Sequence, residues 1–460
     1  MGLGKIKSAV EKLSKNSAAQ VQTIWDMYFF EHFLVRVAKS KYHKNFVFKG
    51  GFLLESMLGV QSRSTMDIDL KAEKINLVND ELEKIFKEIA SINIDDEVVY
   101  EIDRITDIAQ EKKYGGKSIR VLSKYYNIKK TFSIDVASGD IVTPFPLLHR
   151  YKSKINELEF DILSYTKETI LAEKFEALVS KGLNNSRSKD ILDMYLLIEE
   201  GYNKEILNAA LINTFINRQT TYNKNIIKVS KNVLESDRIK SLYENYAKKH
   251  YFSKDITFED CYKSIQKFLN DIVFLDVVNI QRENIEIHLI RHGQDDINKV
   301  GGWSSNHLTE DGIREIEALI NFVDDDYDLF ISSDLNRAKE SSLILNEKLK
   351  MNIIYDDQFR ETNNGDLKDL TKEEFNKKYP GLYYSSLQMD ECYPNGESPI
   401  EFYNRIKKAF IKLLETNKNK KIILVTHGGV ITVINCLING LPYSNLLKIV
   451  PKTGTITKIK

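Results

Sequence analysis

IEIHLIRHGQDDIN, residues 285–298, opens with Ile285, Ile287, Leu289 and Ile290 and then breaks into Arg291-His292-Gly293. So short an apolar run ending at glycine reads as a buried strand. Residues 329–332 and 422–426 repeat the pattern, and the stretches between them carry helical spacing. That alternation predicts a largely parallel sheet covered by helices. Upstream the pattern differs. Residues 19–40 place Val21, Ile24, Met27, Phe30, Leu34 and Val37 at helical intervals. Short β-rich runs follow at 45–48, 66–70 and 131–136, and 167–274 reads as mostly helical. No Gly/Pro/Ser-rich linker marks the join, which the change of pattern puts at 276–284. Residues 1–18, rich in Lys and Ser, read as a frayed or loosely docked helix.

At 460 residues the chain exceeds one ordinary core, and 42% hydrophobic with 29% charged residues suits a soluble globular protein. Lys plus Arg equal Asp plus Glu at 66 each. Residues 285–460 carry 23 basic and 26 acidic side chains, leaving 43 and 40 upstream. Such balance argues against gripping long nucleic acid by charge alone. Basic stretches at 112–117 (KKYGGK) and 238–251 (RIKSLYENYAKKHY) leave room for a small RNA, although charged helix faces are usually just solvated. Cys261, Cys392 and Cys436 are scattered, without disulfide or metal-ligand spacing, which fits a reducing compartment. No signal peptide or 18-residue apolar run is present, so the expectation is a cytoplasmic protein without a membrane partner.

Cleaving a phosphate monoester needs a nucleophile, positive charge around the phosphoryl oxygens, and an acid for the leaving group. Parallel sheets gather such groups at the carboxyl ends of their strands. Arg291-His292-Gly293, Ser332-Ser333-Asp334 and His427-Gly428-Gly429 each end an expected strand, with Arg337 just inside the next helix. A lone histidine at a strand end is usually structural, and a lone arginine is usually a surface residue. Placement at three strand ends of one sheet favours chemistry.

In the order RHGQDDIN (291–298), LTEDG (308–312), SSDLNRA (332–338), RETNNGDLKDLT (360–371), NGES (395–398) and VTHGGV (425–430), this part resembles the histidine phosphatase, phosphoglycerate mutase-like superfamily. The resemblance implies that His292 accepts the phosphoryl group. Arg291, Arg337 and His427 would bind its oxygens with Asn298 nearby, and Glu361 would serve as proton donor and then base. Gly396-Glu397-Ser398 would shape the substrate side. No metal or other cofactor is implied. One departure is Asp295, where many members carry threonine; a carboxylate there bears on substrate preference.

Nucleotidyl transfer asks instead for carboxylates holding a divalent metal that bridges the triphosphate. Asp67 and Asp69, at i and i+2 of a strand, point to one side. Gly50-Gly51 precedes them, letting backbone amides approach phosphate, and Asp135 lies in a later β-rich run. Taken singly, Gly-Gly is commonest as a turn and Asp-x-Asp as a solvated edge. KGGFLLESMLG (49–59), RSTMDIDL (63–70), SIDVASGDIVTP (133–144) and the 167–197 region resemble the minimal nucleotidyltransferases of the AbiEii/AbiGii toxin family, within the polymerase-β-like superfamily. By that resemblance Gly50, Gly51 and Ser64 contact phosphates with Arg63 close by. Asp67 and Asp69 bind magnesium, with Asp135 as a third carboxylate. Lys174 reaches the triphosphate, and Asp190 or Asp193 completes the site.

The fold expectation is α/β with two domains. Residues 1–280 form an α+β nucleotidyltransferase, its core at about 20–150 and its helical part at about 160–280; residues 281–460 form a three-layer α/β/α phosphatase. The functional expectation is a bifunctional enzyme that uses an NTP and a phosphomonoester. It would act on RNA such as tRNA, as a toxin or phage-defence protein. Competing expectations are a biosynthetic enzyme acting on a small metabolite, or a toxin that adds NMP to protein with a regulatory phosphatase domain. Oligomeric state is open.

Overall fold

Residues 46–49 and 67–72 of the first part form short, largely apolar strands, and the glycines and carboxylates at their ends are where helices and loops take over. The computed structural model describes residues 2–17, 20–59, 67–108, 115–185, 187–249, 253, 255–278 and 284–460. It divides into two units, Met1–Ile272 and Val273–Lys460.

The first unit runs α1 (Leu3–Ser17), α2 (Val21–Lys39), β1 (Phe46–Lys49), α3 (Gly50–Leu58), β2 (Asp67–Ala72), α4 (Asn79–Ala90), β3 (Val98–Ile108), β4 (Gly116–Tyr125), β5 (Ile128–Ala137), β6 (Leu147–Lys152) and β7 (Glu159–Ser164). Six helices follow: α5 (Lys167–Lys181), α6 (Ser188–Glu200), α7 (Lys204–Asn217), α8 (Asn225–Leu234), α9 (Asp237–Lys249) and α10 (Phe258–Asn270). The sheet is mixed, in the order β3-β4-β5-β2-β1-β7-β6. β1 lies antiparallel to β2 and parallel to β7, and β2 is parallel to β5.

α2 is buried on nearly every side, so its polar residues are paired. Arg36 holds Asp96 through two 2.7 Å bonds, and Glu31 accepts from Tyr151 at 2.9 Å and Ser153 at 2.6 Å. The opening segment differs from expectation: α1 is an ordered helix packed on α2, with Ile6 and Val10 buried, because its apolar residues fall on one face. The basic run 238–251 lies largely on α9, whose Ile239 and Tyr243 are buried while its lysines face outward; residues 250 and 251 are outside the described set. In the run 112–117, residues 112–114 are likewise outside it, and Lys117 pairs with Asp107 at 2.6 Å.

The second unit runs β8 (Glu286–Arg291), α11 (Glu310–Leu319), β9 (Leu329–Ser332), α12 (Asn336–Leu349), β10 (Ile353–Tyr355), α13 (Lys372–Lys378), α14 (Pro399–Thr416), β11 (Lys421–Thr426), α15 (Gly428–Asn439) and β12 (Ile456–Ile459). Its sheet has the order β10-β9-β11-β8-β12, parallel except for β12. Alternate residues of β11 feed two cores. Ile422 and Leu424 meet Phe402, Phe410 and Ile431 from α14 and α15 on one face; Ile423 and Val425 meet Ile316, Ala338 and Leu345 from α11 and α12 on the other. Three layers result, with all the parallel strand ends on one edge. Among the described residues no helix is long and apolar enough to cross a membrane.

Candidate active sites

The edge of the second sheet holds the first site. Thr426 is in register with Arg291, so His292 and His427 leave adjacent parallel strands side by side, their ring centroids 5.1 Å apart. His292 is 4% exposed. Its Nδ1 lies 2.7 Å from the Gly293 carbonyl, which can only accept, so the proton sits on Nδ1 and Nε2 keeps its lone pair. Burial, followed by the charges of Arg337 and Arg291, holds the His292 pKa well below the ordinary histidine value, against the Gly293 carbonyl. Burial and the same arginines depress His427 likewise. Both rings are therefore neutral near pH 7.

Arg337, buried at the start of α12, donates Nε to His292 Nε2 at 3.2 Å, with its other nitrogens on Ser304 Oγ and the Gly302 carbonyl. Ser333 Oγ accepts weakly from the Leu335 amide and lies 2.8 Å from His427 Nε2. His427 Nδ1 and Arg291 Nε are buried with no hydrogen-bond partner. An unpaired buried guanidinium nitrogen beside two neutral imidazoles suits an incoming anion. Arg291 is anchored on the Pro451 carbonyl at 2.5 Å.

Glu361 lies beside the start of α15, where Gly429 N donates to its Oε2 at 3.0 Å. A Cβ on Gly429 would stand 2.2 Å from Glu361 Oε1, so only glycine admits this approach. The Glu361 backbone carbonyl accepts from Trp303 Nε1 at 2.7 Å and from Arg405 at 3.1 Å, which fixes the residue from two sides. Three residues expected near the substrate have other partners here. Ser398 is buried as the N-cap of α14, its Oγ accepting from the Glu401 amide, because a helix start needs its amides satisfied. Glu397 is committed to Arg405. Asn298 is exposed, and its carbonyl takes the Lys372 amide; among the described residues no hydrogen bond joins its side chain to the pocket.

If His292 is the nucleophile, its neutral form is the active one, and activity is lost as pH falls through its lowered pKa. The acid limb of kcat/KM for an aryl phosphate is therefore expected well below pH 6.5. A limb centred at or above 6.5 would contradict the buried, neutral histidine.

The second site lies on β1, β2 and β5. Ile68 and Leu70 point into the core, which leaves Asp67 and Asp69 on the opposite face, and Asp69 is in register with Asp135 across the parallel pair. Burial first, and the neighbouring carboxylates after it, push Asp69 up to about 6, although Lys49 opposes the shift. Asp67 is raised by burial and by Asp135. Asp135 accepts from Ser118 at 2.6 Å. Three crowded carboxylates, with burial disfavouring the charge on Asp67 and Asp69, form a donor set that fits a divalent cation. Their oxygens are not yet gathered: among the described residues only Glu286, His288 and Asp324 bring three ligand atoms within 4.8 Å of one another. That group is already satisfied, since Lys460 pairs with Glu286 and Lys421 with Asp324.

Gly50 begins α3 at φ +76, and a Cβ there would stand 1.9 Å from Asp69 Oδ2. Gly50→Ala is expected to cost about 1–3 kcal/mol of stability and to displace Asp69, lowering nucleotidyl transfer at least about tenfold. Thermal melting and a transfer assay check it together. Arg63 and Ser64 fall outside the described residues.

Lys174 on α5 is held by Asp190 at 2.9 Å and Asp193 at 2.5 Å on α6, so its charge is already shared between two carboxylates. Sequence reasoning missed the residues that tie the helices to the sheet. Lys49 Nζ reaches Asp140 at 3.0 Å, and Arg218 spans Asp140 at 3.1 Å, Glu173 at 3.0 Å and Glu176 at 3.0 Å. Burial opposes the Lys49 charge, yet Glu173, Tyr165 and Asp140 raise its pKa well above the ordinary lysine value. Lys189, exposed on α6, acts electrostatically on both Asp67 and Asp69. Lys49 and Asp140 lie within motifs already noted, but nothing in spacing links them to Arg218.

One unit thus presents a histidine-type phosphoryl-transfer site and the other a carboxylate site on an α+β core. Residues 32–264 match the family model described as nucleotidyl transferase AbiEii toxin, type IV toxin–antitoxin system, and residues 287–460 match the histidine phosphatase superfamily, branch 1. The chain is 33% identical over 156 residues to an uncharacterized phosphatase of Bacillus subtilis, covering 33% of this chain and 76% of that protein. It is 32% identical over 155 residues to phosphoglycerate mutase-like protein 4 of Arabidopsis thaliana, covering 32% and 67%. A solved mycobacterial glucosyl-3-phosphoglycerate phosphatase is 24% identical, with a TM-score of 0.35, covering 38% of this chain and 92% of that one. The chain belongs to the AbiEii nucleotidyl transferase family through its first part and to the histidine phosphatase superfamily through its second, and both are enzyme families.

Proposed function

We propose that this is a bifunctional enzyme of the toxin or phage-defence kind. Residues 1–280 transfer an NMP from an NTP to an RNA end, such as that of tRNA, or to another hydroxyl acceptor. Residues 281–460 hydrolyse a phosphomonoester through a phosphohistidine. The observation that carries the second activity is the neutral His292, with its Nε2 lone pair facing Arg337 and unpaired nitrogens on Arg291 and His427.

In the phosphatase, His292 Nε2 attacks phosphorus and the P–O bond to the leaving group breaks, the departing oxygen taking a proton from Glu361. Arg291, Arg337 and His427 hold the phosphoryl oxygens. Glu361, now ionised, accepts a proton from water as that water cleaves the N–P bond, which returns His292 to its neutral form. The curated relatives include a putative phosphoserine phosphatase of Hydrogenobacter thermophilus and a glucosyl-3-phosphoglycerate phosphatase of Mycobacterium tuberculosis, both named for small monoesters.

In the transferase, Asp67 and Asp69 would hold magnesium with Asp135 beside them. When bound, the ion would neutralise triphosphate charge and lower the pKa of an attacking hydroxyl. Gly50 and Gly51 offer the amides that open α3, and Lys189 supplies positive charge for phosphates, while Lys174 reaches the triphosphate by exchanging its bonds to Asp190 and Asp193. The transferase product is a phosphodiester and the histidine site suits a terminal monoester, so the second activity does not reverse the first. It prepares a hydroxyl, trims a product phosphate, or acts on a regulatory nucleotide.

The test is incubation of the full chain and magnesium with each of the four α-labelled NTPs, with and without total tRNA. Label moving into tRNA is expected. Pyrophosphate release only when cell metabolites are supplied would overturn the RNA reading in favour of small-molecule chemistry.

A further inference from the structure

We propose that Asp295 selects the charge state of the phosphoryl group, so that the histidine site takes the monoanion of a monoester in preference to the dianion. The inference rests on the phosphatase reading and adds to it a substrate form and a residue that determines it.

Asp295 belongs to the segment that follows β8, and its backbone forms an antiparallel bridge with Leu308. Its Oδ2 lies 3.6 Å from Arg337 Nε, the nitrogen that also faces His292 Nε2 at 3.2 Å. Asn306 Nδ2 donates to the same oxygen at 3.2 Å. Backbone and side chain are thus both held, and the carboxylate sits on the one guanidinium nitrogen shared with the attacking imidazole. A pocket built for anions has an anion fixed inside it.

The charged groups facing this place are few. Arg337 feels Asp295, Glu361, Arg291 and Asp369. Asp369 is engaged with Ser305, accepting from its amide and its hydroxyl. His292 and His427 are neutral. Two guanidinium charges therefore stand against the carboxylate of Asp295, since Glu361 carries the proton it will donate, and a phosphoryl dianion adds two more negative charges beside Asp295.

A carboxylate only accepts hydrogen bonds. It repels a dianion, but it accepts a bond from the P–OH of a monoanion while Arg337 binds a second oxygen of the same group. The proton stays on a non-bridging oxygen, so the nucleophilic attack and the protonation of the leaving group are unaltered. Because the second ionisation of a phosphate monoester lies near pH 6, this preference appears as falling kcat/KM above about that pH. The histidine limb lies lower, and the two together enclose an acidic optimum.

The experiment compares wild type, Asp295→Asn and Asp295→Thr as full chains, at about pH 5 and about pH 8. It follows hydrolysis of 4-nitrophenyl phosphate and, separately, calorimetric binding of inorganic phosphate. Removing the carboxylate is expected to raise kcat/KM at least about tenfold at the higher pH and less than about threefold at the lower. Phosphate is expected to bind wild type more weakly at the higher pH, and the variants nearly equally at both. A loss of equal size at both pH values in the two variants would overturn the proposal, as would phosphate binding with the same pH dependence in all three proteins. If phosphate binding follows the expectation while no protein hydrolyses any monoester, the selector stands and the phosphatase reading falls.

Discussion

His292→Ala is expected to lower phosphomonoester hydrolysis by about ten-thousandfold or more while nucleotidyl transfer is unchanged. The size follows from what the residue does in the proposed scheme. Without the imidazole there is no covalent route, and water must attack a phosphoryl group held only by Arg291, Arg337 and His427. The fold has little reason to suffer, because His292 follows β8 at the sheet edge and the strand's packing residues, Ile287, Leu289 and Ile290, are untouched. Wild type exposed to labelled monoester and quenched is expected to carry label that is lost in acid and kept in base, as an N–P bond requires. Hydrolysis of an aryl phosphate by the variant at a rate near wild type would sink the assignment.

Asp67→Ala with Asp69→Ala has the reverse profile, with transfer falling by about a thousandfold or more and hydrolysis retained. A single Asp69→Asn change adds a test that does not depend on activity. Asp69 has its pKa raised to about 6, so its charged form is disfavoured in the folded state. The linkage runs one way. Below the unfolded carboxylate pKa both states are protonated and nothing is lost; from there up to about 6 the unfolded chain ionises while the folded chain keeps its buried proton, and the loss is complete above about 6. At neutral pH that costs on the order of 2–3 kcal/mol, which the asparagine removes. Asp69→Asn is therefore expected to melt higher than wild type near pH 7 without magnesium, and to show no such gain near pH 4. A lower melting temperature at neutral pH would show that the carboxylate is structural.

Much of the phosphatase site was legible because its residues sit at strand ends within short motifs. The run 329–332 is β9 as read, and 422–426 is β11 short of one residue, since buried parallel strands are continuous apolar runs. β1, β2 and β5 were placed to within three residues for the same reason. β3 and β4 were passed over although β3 alternates Val98, Tyr100 and Ile102 inward, because Glu101, Asp103 and Arg104 dilute its hydrophobicity. Ser398 caps α14, and a motif locates such a residue without saying whether its hydroxyl faces substrate or caps a helix. The Lys49–Asp140–Arg218–Glu173 network joins four separated stretches, and only folding brings them together.

The pairing of β8 with β11 has a consequence for the order in which the chain matures on the ribosome. Glu286 pairs with Lys421 and Arg291 with Thr426, so His292 lacks this partner strand until residues 421–426 are made. Met1–Ile272 is complete long before that. At ordinary elongation rates residues 273–426 take about 8 to 31 s to synthesise. For that interval each nascent chain already carries the Asp67, Asp69 and Asp135 carboxylates, while its histidine pocket does not yet exist.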